Sequence, residues 1–331
     1  MAFGGGSAVN LIGLGTFGTT WIERYTERHR APIALASASI SDLKEFDRNK
    51  CLKIEISDDT SKRDFKMGLV RDWVDHSLDM TDGMSVALLN PTTEYGALAA
   101  HAFERIRQYQ PDAFLCAVIL LPYMKEYPMP AKRNLVATMV DMKETADMVI
   151  VLEEERLTSK VKAVDQHTAF ERMDTFVQYM LDILRGLNGT YGMRQYLASD
   201  GLTGELCVPS FAESLQGLDM NTAILQNVCA SDFSITDNSF SYVCMPKEPP
   251  GIIPSVRTFV APTPDYELFA LTFRPRYQKI YNYFMEVRAG AEQEGRKAVS
   301  LEADLMGELE DVRFGERAAP TKKTLEEDLF G

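Results

Sequence analysis

Gly13, Gly15 and Gly18 stand in a G-x-G-x-x-G spacing directly behind the apolar run Val9-Asn10-Leu11-Ile12, and Thr19 to Arg30 can wind as a helix. Glycines let a backbone bend sharply and let an anion approach amide hydrogens, while the helix dipole favours negative charge at that end. The chemistry this supports is binding of a phosphate-bearing ligand, with Thr16, Phe17 and Thr20 beside the turn. Dinucleotide-binding enzymes and nucleotide-binding polymerising proteins both begin this way, so the ligand must be read from other residues. Phe170 and Asp174 add a second pattern: one helical turn apart, they face the same side, an aromatic surface beside a hydrogen-bond acceptor.

The elements that position these residues alternate in the first half. Strands are expected at Val9–Ile12, Ile33–Ser39, Ser85–Leu89, Phe114–Leu121 and Met148–Leu152, and helices around Arg71–His76, Ala97–Tyr109 and Asn134–Thr145. Strands apolar throughout and separated by amphipathic helices read as a parallel sheet covered on both faces, with ligands beyond the strands' carboxyl ends. Thr168 to Leu187 reads as a long helix, with Phe176, Met180, Ile183, Leu184 and Leu187 at core spacing and Asn188-Gly189 as its stop. Strands follow at Phe233–Met245, Ser255–Ala261 and Tyr266–Phe273, with a loop from Pro246 to Pro254 and a helix from Arg276 to Ala298. An acidic amphipathic segment, Ser300 to Val312, precedes a charged tail that ends Leu325-Glu326-Glu327-Asp328-Leu329-Phe330.

Composition narrows the class. A chain of 331 residues exceeds one average domain, and 45% hydrophobic with 25% charged residues is ordinary globular content. The net charge of -13 argues against direct, sequence-independent nucleic-acid binding. No apolar run reaches the roughly eighteen residues of a membrane span, and the start lacks the basic and apolar regions of a secretory signal. Cys51, Cys116, Cys207, Cys229 and Cys244 form no C-x-x-C pair, so free thiols in a reducing cytoplasm are expected, without a zinc site.

Taken in order, several patches resemble the tubulin and FtsZ superfamily. The glycine turn is similar to the first phosphate loop, with Thr20 where an Asn usually stands. After the strand Ser85–Leu89, Asn90-Pro91-Thr92-Thr93-Glu94-Tyr95-Gly96 falls on the family's GGGTGTG, keeping Thr93 and Gly96; Thr92 and Thr93 retain hydroxyl donors, but Pro91 has no amide hydrogen and Glu94 carries negative charge. Glu126 and Arg133 fall on ribose and phosphate contacts, and Glu154 replaces an Asn that reads the base. The resemblance implies that Phe170 stacks on the purine and Asp174 accepts guanine's two donors. It also implies an acidic loop behind the connecting helix that completes the GTPase site of the next subunit. Val208-Pro209-Ser210-Phe211-Ala212-Glu213 is the best match to that N-L-D-F-A-D loop, leaving Glu213 as the water-activating carboxylate, or Asp200 under another alignment.

The architecture so implied is α/β: a parallel-sheet nucleotide-binding domain at 1–165, a connecting helix at 166–188, a smaller mixed α+β domain at 189–275, C-terminal helices at 276–312 and a flexible acidic tail at 313–331. The function implied is a cytoplasmic cytoskeletal protein that binds GTP or GDP, with or without Mg2+, and assembles with itself head to tail, with slow or absent hydrolysis. The tail would offer an adaptor a docking site. Two alternatives stay open. One is a non-catalytic scaffold of the same fold. The other is an NAD(P)-dependent oxidoreductase, for which Asp42 stands where a ribose-binding acid is expected, although His29, His76, His101 and His167 all precede the second domain.

Overall fold

The structure, a computed structural model, describes residues 8–27, 30–44, 46–47, 50–53, 63–78, 83–123, 126–160, 166–215, 217–247, 255–260 and 266–293; at 8, 63–67, 158–160, 166–173 and 291–293 it describes backbone alone. The order is β1 (Ala8–Leu14), α1 (Gly15–Thr26), β2 (Ile33–Ser37), β3 (Cys51–Lys53), α2 (Arg63–Ser77), β4 (Gly83–Leu89), α3 (Tyr95–Tyr109), β5 (Phe114–Leu121), α4 (Met129–Thr145), β6 (Met148–Glu153), α5 (Glu154–Lys160) and α6 (Gln166–Tyr191). Then follow α7 (Met193–Ser199), β7 (Glu205–Ala212), α8 (Met220–Gln226), β8 (Phe233–Ser234), β9 (Phe240–Met245), β10 (Val256–Val260), β11 (Leu268–Phe273), β12 (Arg276–Tyr277) and α9 (Gln278–Gln293).

Ten of these strands form one sheet, in the order β10-β9-β11-β7-β6-β5-β4-β1-β2-β3. From β3 to β7 every pairing is parallel, and β11 runs antiparallel between β7 and β9. This is the α/β class that the apolar runs imply. Side chains alternate across the sheet, as a period of two demands. Cys116, Val118 and Leu120 of β5 pack with Trp21 and Ile22 of α1 and Met180 and Leu184 of α6 on one face. Leu115, Ala117 and Ile119 pack on the other, with Trp73 of α2, Phe103 of α3, Met142 of α4 and Phe284 of α9. Because helices cover both faces, β5 is buried along its whole length, which is why it carries no polar alternation.

Three elements differ from the sequence expectation. The long helix does not stop at Asn188-Gly189 but continues to Tyr191, and Gly192, at φ +65°, breaks it. An L-residue is strained there, so the glycine that ends the helix is the one whose backbone must turn left-handed. The run from Phe233 to Met245 divides into β8, which pairs with β12 in a small separate sheet, and β9 in the large one. Residues 208–212 are neither loop nor linker. They lie in β7, paired with β11 on one side, and at β7's amino end the pairs Met148↔Glu205, Val149↔Leu206 and Ile150↔Cys207 join it to β6. The sheet thus passes through the boundary expected near residue 165. The expected loop at Pro246–Pro254 falls mostly outside the described residues, as do the amphipathic segment and the tail.

Candidate functional site

β1 leaves the sheet in extended conformation at Leu14, Gly15 turns at φ +67°, and α1 begins with no side-chain cap on its first turn. The amides of that turn therefore point beyond the carboxyl end of β1 without a side-chain acceptor. Gly13 and Gly18 serve the packing of α1 on the sheet: a Cβ on Gly18 would stand 2.1 Å from the carbonyl oxygen of Leu88, and one on Gly13 2.8 Å from that of Gly18. A Cβ on Gly15 would strike the ring of Tyr95, 2.5 Å away, and the Tyr95 hydroxyl accepts from the Ala38 N–H at 3.0 Å. Thr16 donates its hydroxyl to Asp42 at 2.9 Å, and Ser37 donates to the same carboxylate oxygen at 2.6 Å. The Asp42 carboxylate is thus held at the foot of the turn, on the side of β2. Phe17 rests tilted against Trp21, ring centroids 5.1 Å apart, and Thr20 is half-buried.

The loop behind β4 faces inward. Asn90 accepts the Thr92 N–H at 2.9 Å and the Thr92 hydroxyl at 2.7 Å on its side-chain oxygen, while the Thr93 hydroxyl donates to its carbonyl at 2.9 Å. From α4, Asn134 donates to the Thr92 carbonyl at 3.2 Å. A Cβ on Gly96 would lie 2.0 Å from the Thr138 hydroxyl, so this glycine permits α3 to press against α4. The donors that survive from the family pattern are engaged within the fold.

At the ends of β5 and β6, the Glu154 carboxylate accepts the Tyr123 N–H at 2.7 Å, tying the two strands together. Glu126 is exposed, and Arg133 is half-buried on α4 with interactions inside the fold. Glu153, which the sequence reading passed over, is fully buried. It accepts the Ser231 N–H at 2.8 Å and the Tyr277 hydroxyl, and the Lys279 ammonium lies 3.5 Å away. Burial and this carboxylate push the Tyr277 phenol well above its ordinary value, and burial chiefly raises Tyr283 to about 12. An acid standing inside an apolar strand end was the available signal.

Phe170 and Asp174 both lie on α6, one turn apart; the Phe170 side chain is outside the described residues. Asp174 is nearly buried, and its carboxylate is ion-paired with Arg24 of α1. The two residues offered for water activation lie off opposite ends of β7, Glu213 where the carboxyl ends of the parallel strands form the upper edge and Asp200 where their amino ends form the lower edge. Glu213 is exposed just past the carboxyl end of β7, on the side of the glycine turn. Asp200 precedes β7 at the other edge, where it accepts the Tyr242 hydroxyl at 2.8 Å and Arg257 Nε at 2.9 Å. Ser210, the position matched to the first catalytic acid, is buried in β7 and its hydroxyl has no hydrogen-bond partner. A single residue, Gly192, separates α6 from α7, and no Asp or Glu stands between Asp182 and Asp200. Among the described residues no group of His, Cys, Asp or Glu is placed to hold a metal ion, and no helix is long and apolar enough to cross a membrane.

No protein-family model matches the chain, and no curated protein matches its sequence. Solved structures do. CetZ from Methanosaeta thermophila strain DSM 6194 superposes with a TM-score of 0.64 at 12% identity, covering 93% of this chain and 97% of that one. A mutant FtsZ of M. jannaschii superposes with a TM-score of 0.54, also at 12% identity, covering 81% and 90%. At that identity the likeness establishes the fold alone: the chain has a tubulin/FtsZ-like fold.

Proposed function

We infer that this divergent protein of tubulin/FtsZ fold is a cytoskeletal element that binds a purine nucleotide beyond the carboxyl ends of β1, β4, β5 and β6, stacks on copies of itself, and hydrolyses the nucleotide slowly or not at all. The uncapped amino end of α1 and its glycine turn supply a phosphate contact. The base would lie towards α6, between Asp174 and Glu154. A head-to-tail stack sets the lower edge of one copy's sheet over this cleft in the next.

One observation carries the view on hydrolysis: the junction of α6 and α7 brings no carboxylate to the lower edge. Asp200 is the first acid after Asp182, and Arg257 and Tyr242 already hold it. Glu213 lies on the upper edge, on the same side as its own glycine turn, so it does not reach a neighbour's nucleotide in a head-to-tail stack. Without a positioned base the attacking water gains no general-base assistance, typically a factor of about 10²–10⁴.

Electron microscopy and sedimentation of the pure protein with GTP, with GDP and without nucleotide, run beside a phosphate-release assay, test this. The expected outcome is filaments whose assembly responds to nucleotide and whose phosphate release does not exceed the unassembled background. Rapid turnover abolished by Glu213→Ala, or filaments indifferent to nucleotide, would contradict it. The second outcome favours the scaffold reading, which the inward-facing Asn90 turn supports: a loop whose Thr92 and Thr93 donors are engaged adds little to a triphosphate's binding.

A further inference from the structure

Two guanidiniums converge on one buried carboxylate at the lower edge of the sheet. Asp147 immediately precedes β6, and one of its oxygens accepts Arg107 Nη2 and the Leu115 N–H, each at 2.8 Å. Arg194 Nε lies 3.3 Å from the other oxygen. Arg107 alone neutralises this acid, so Arg194, the second residue of α7, is a cation that the burial of Asp147 does not require. Arg194 Nη1 donates to the Pro111 carbonyl and stands 3.3 Å from Asp112, a fully exposed acid whose pull water screens. Among the described residues Arg194 Nη2 has no partner, and the side chain is 35% exposed. The carboxyl ends of β5 and β6 have the opposite character. Past β5, Tyr123 is 64% exposed and Glu126 is exposed; past β6, Glu154 accepts the Tyr123 N–H and Glu155 is exposed. Arg156, next in the chain, is half-buried and donates its Nε to the Ala230 carbonyl at 3.3 Å. The foot of β6 thus offers an N–H edge, and its head offers carboxylates beside an exposed ring.

We propose that Arg194 and Glu155 form a contact between copies of this chain: in a stack that repeats by translation along the strands, the foot of β6 in one copy lies over the head of β6 in the next, and the Arg194 Nη2 edge binds the Glu155 carboxylate beside Tyr123. This rests on the head-to-tail reading above and gives it a contact that does not pass through the nucleotide. The residue types suit the role. Arginine and tyrosine are enriched where protein surfaces close on one another, and a guanidinium on a carboxylate makes a charge-assisted hydrogen bond. An arginine already held by Asp147 and Pro111 loses little freedom on binding. A translation joins two different surfaces, so each copy offers one foot and one head, and the contact propagates without closing.

Charge exchange supplies the test, read by sedimentation of the full chain as the critical concentration for assembly, with the nucleotide that best supports wild-type filaments. Arg194→Glu and Glu155→Arg each set like charges against one another and are expected to raise that concentration about tenfold or more. The chain carrying both is expected to return to within about threefold of wild type. The two residues lie at opposite edges of one copy, so such recovery is not repair within it. Arg194→Ala and Glu155→Ala cover the case in which a reversed charge unfolds the protein, because Asp147 keeps Arg107 and the Leu115 N–H. Combined, these two changes should cost no more than either alone. Single variants that assemble as wild type does, additive losses, or an exchanged chain no better than its parents overturn the proposal, while wild-type filaments preserve the head-to-tail reading. If wild-type protein forms no filaments with any nucleotide or without one, that reading fails and the proposal with it.

Discussion

Gly18 and Gly68 are the same residue under opposite constraints. A Cβ on Gly18 would stand 2.1 Å from a backbone oxygen of β4, which cannot step aside, whereas one on Gly68, in the exposed face of α2, meets nothing within 4 Å. Gly18→Ala is therefore expected to destabilise by about 1–3 kcal/mol through overpacking. Gly68→Ala is expected to stabilise by roughly 0.5–1 kcal/mol through helix propensity, and urea midpoints distinguish the two. The G-x-G-x-x-G spacing displays three equivalent glycines, and only the packing shows that Gly15 makes the turn while Gly13 and Gly18 let the helix approach. Tyrosines supply a second test. Burial first, and then the Asp182 carboxylate, raise Tyr25 from 10.0 to about 12, and burial also raises Tyr283 to about 12. A phenol whose folded value exceeds its unfolded value favours the native state fully below pH 10.0 and loses that contribution as pH climbs towards about 12. Tyrosinate absorbance followed with far-ultraviolet circular dichroism should show alkaline unfolding in that window, and Tyr25→Phe should shift it upward.

Among the elements, β10 is an edge strand, held outside the β9 ladder by Phe259, which packs on Tyr191 and Tyr196, and by Arg257. That side chain bonds Asp200 at the end of α7 and lies over the Tyr196 ring, 4.8 Å from its centroid. Arg257→Ala is expected to raise amide exchange in Val256–Val260 roughly tenfold, about 1.4 kcal/mol of local opening, and to leave β5 unchanged. Equal acceleration in both strands would contradict that local role. The same contrast explains what could be read beforehand. β5, as Phe-Leu-Cys-Ala-Val-Ile-Leu-Leu, announces itself because both faces are covered. β7 does not, since Pro209 and Ser210 interrupt its apolar pattern and mimic a loop. The proline is tolerated because β7 has by then left β6: Cys229 donates to the Pro209 carbonyl at 2.9 Å and Phe211 to Asn227 at 3.2 Å. The stretch Val208–Glu213, which resembles a catalytic loop, lies mostly on this strand, whereas the junction that follows the long helix holds only Gly192. Glu153 was legible in type but not in partners, for Ser231, Tyr277 and Lys279 come from far along the chain.

At the scale of the whole molecule, the β6–β7 ladder makes one sheet of two sequence halves. Crossing bonds reinforce it: Gly204 donates to the Asp147 carbonyl at 2.9 Å and Glu153 to that of Cys229 at 3.1 Å. Lys132 of α4 pairs with Glu286 of α9, fastening the last helix to the first half. Calorimetry is accordingly expected to show a single unfolding transition with equal calorimetric and van't Hoff enthalpies. Two resolved transitions would mean that the ladder does not couple the halves. Parallel strands announced the first half of this sheet, but no local pattern announces a pairing between segments separated by a helix of 26 residues.

The place of β11 between β7 and β9 has a consequence for biosynthesis. A nascent chain that has already produced β7, β9 and β10 still has a gap to fill, and the filler leaves the ribosome last among the sheet's strands. Until then two raw β-edges face each other with nothing between them, the situation that invites mispairing and chaperone capture. Translation arrested short of Leu268 should therefore yield an insoluble product, and a synthetic peptide carrying Leu268–Phe273 is the natural candidate to rescue it.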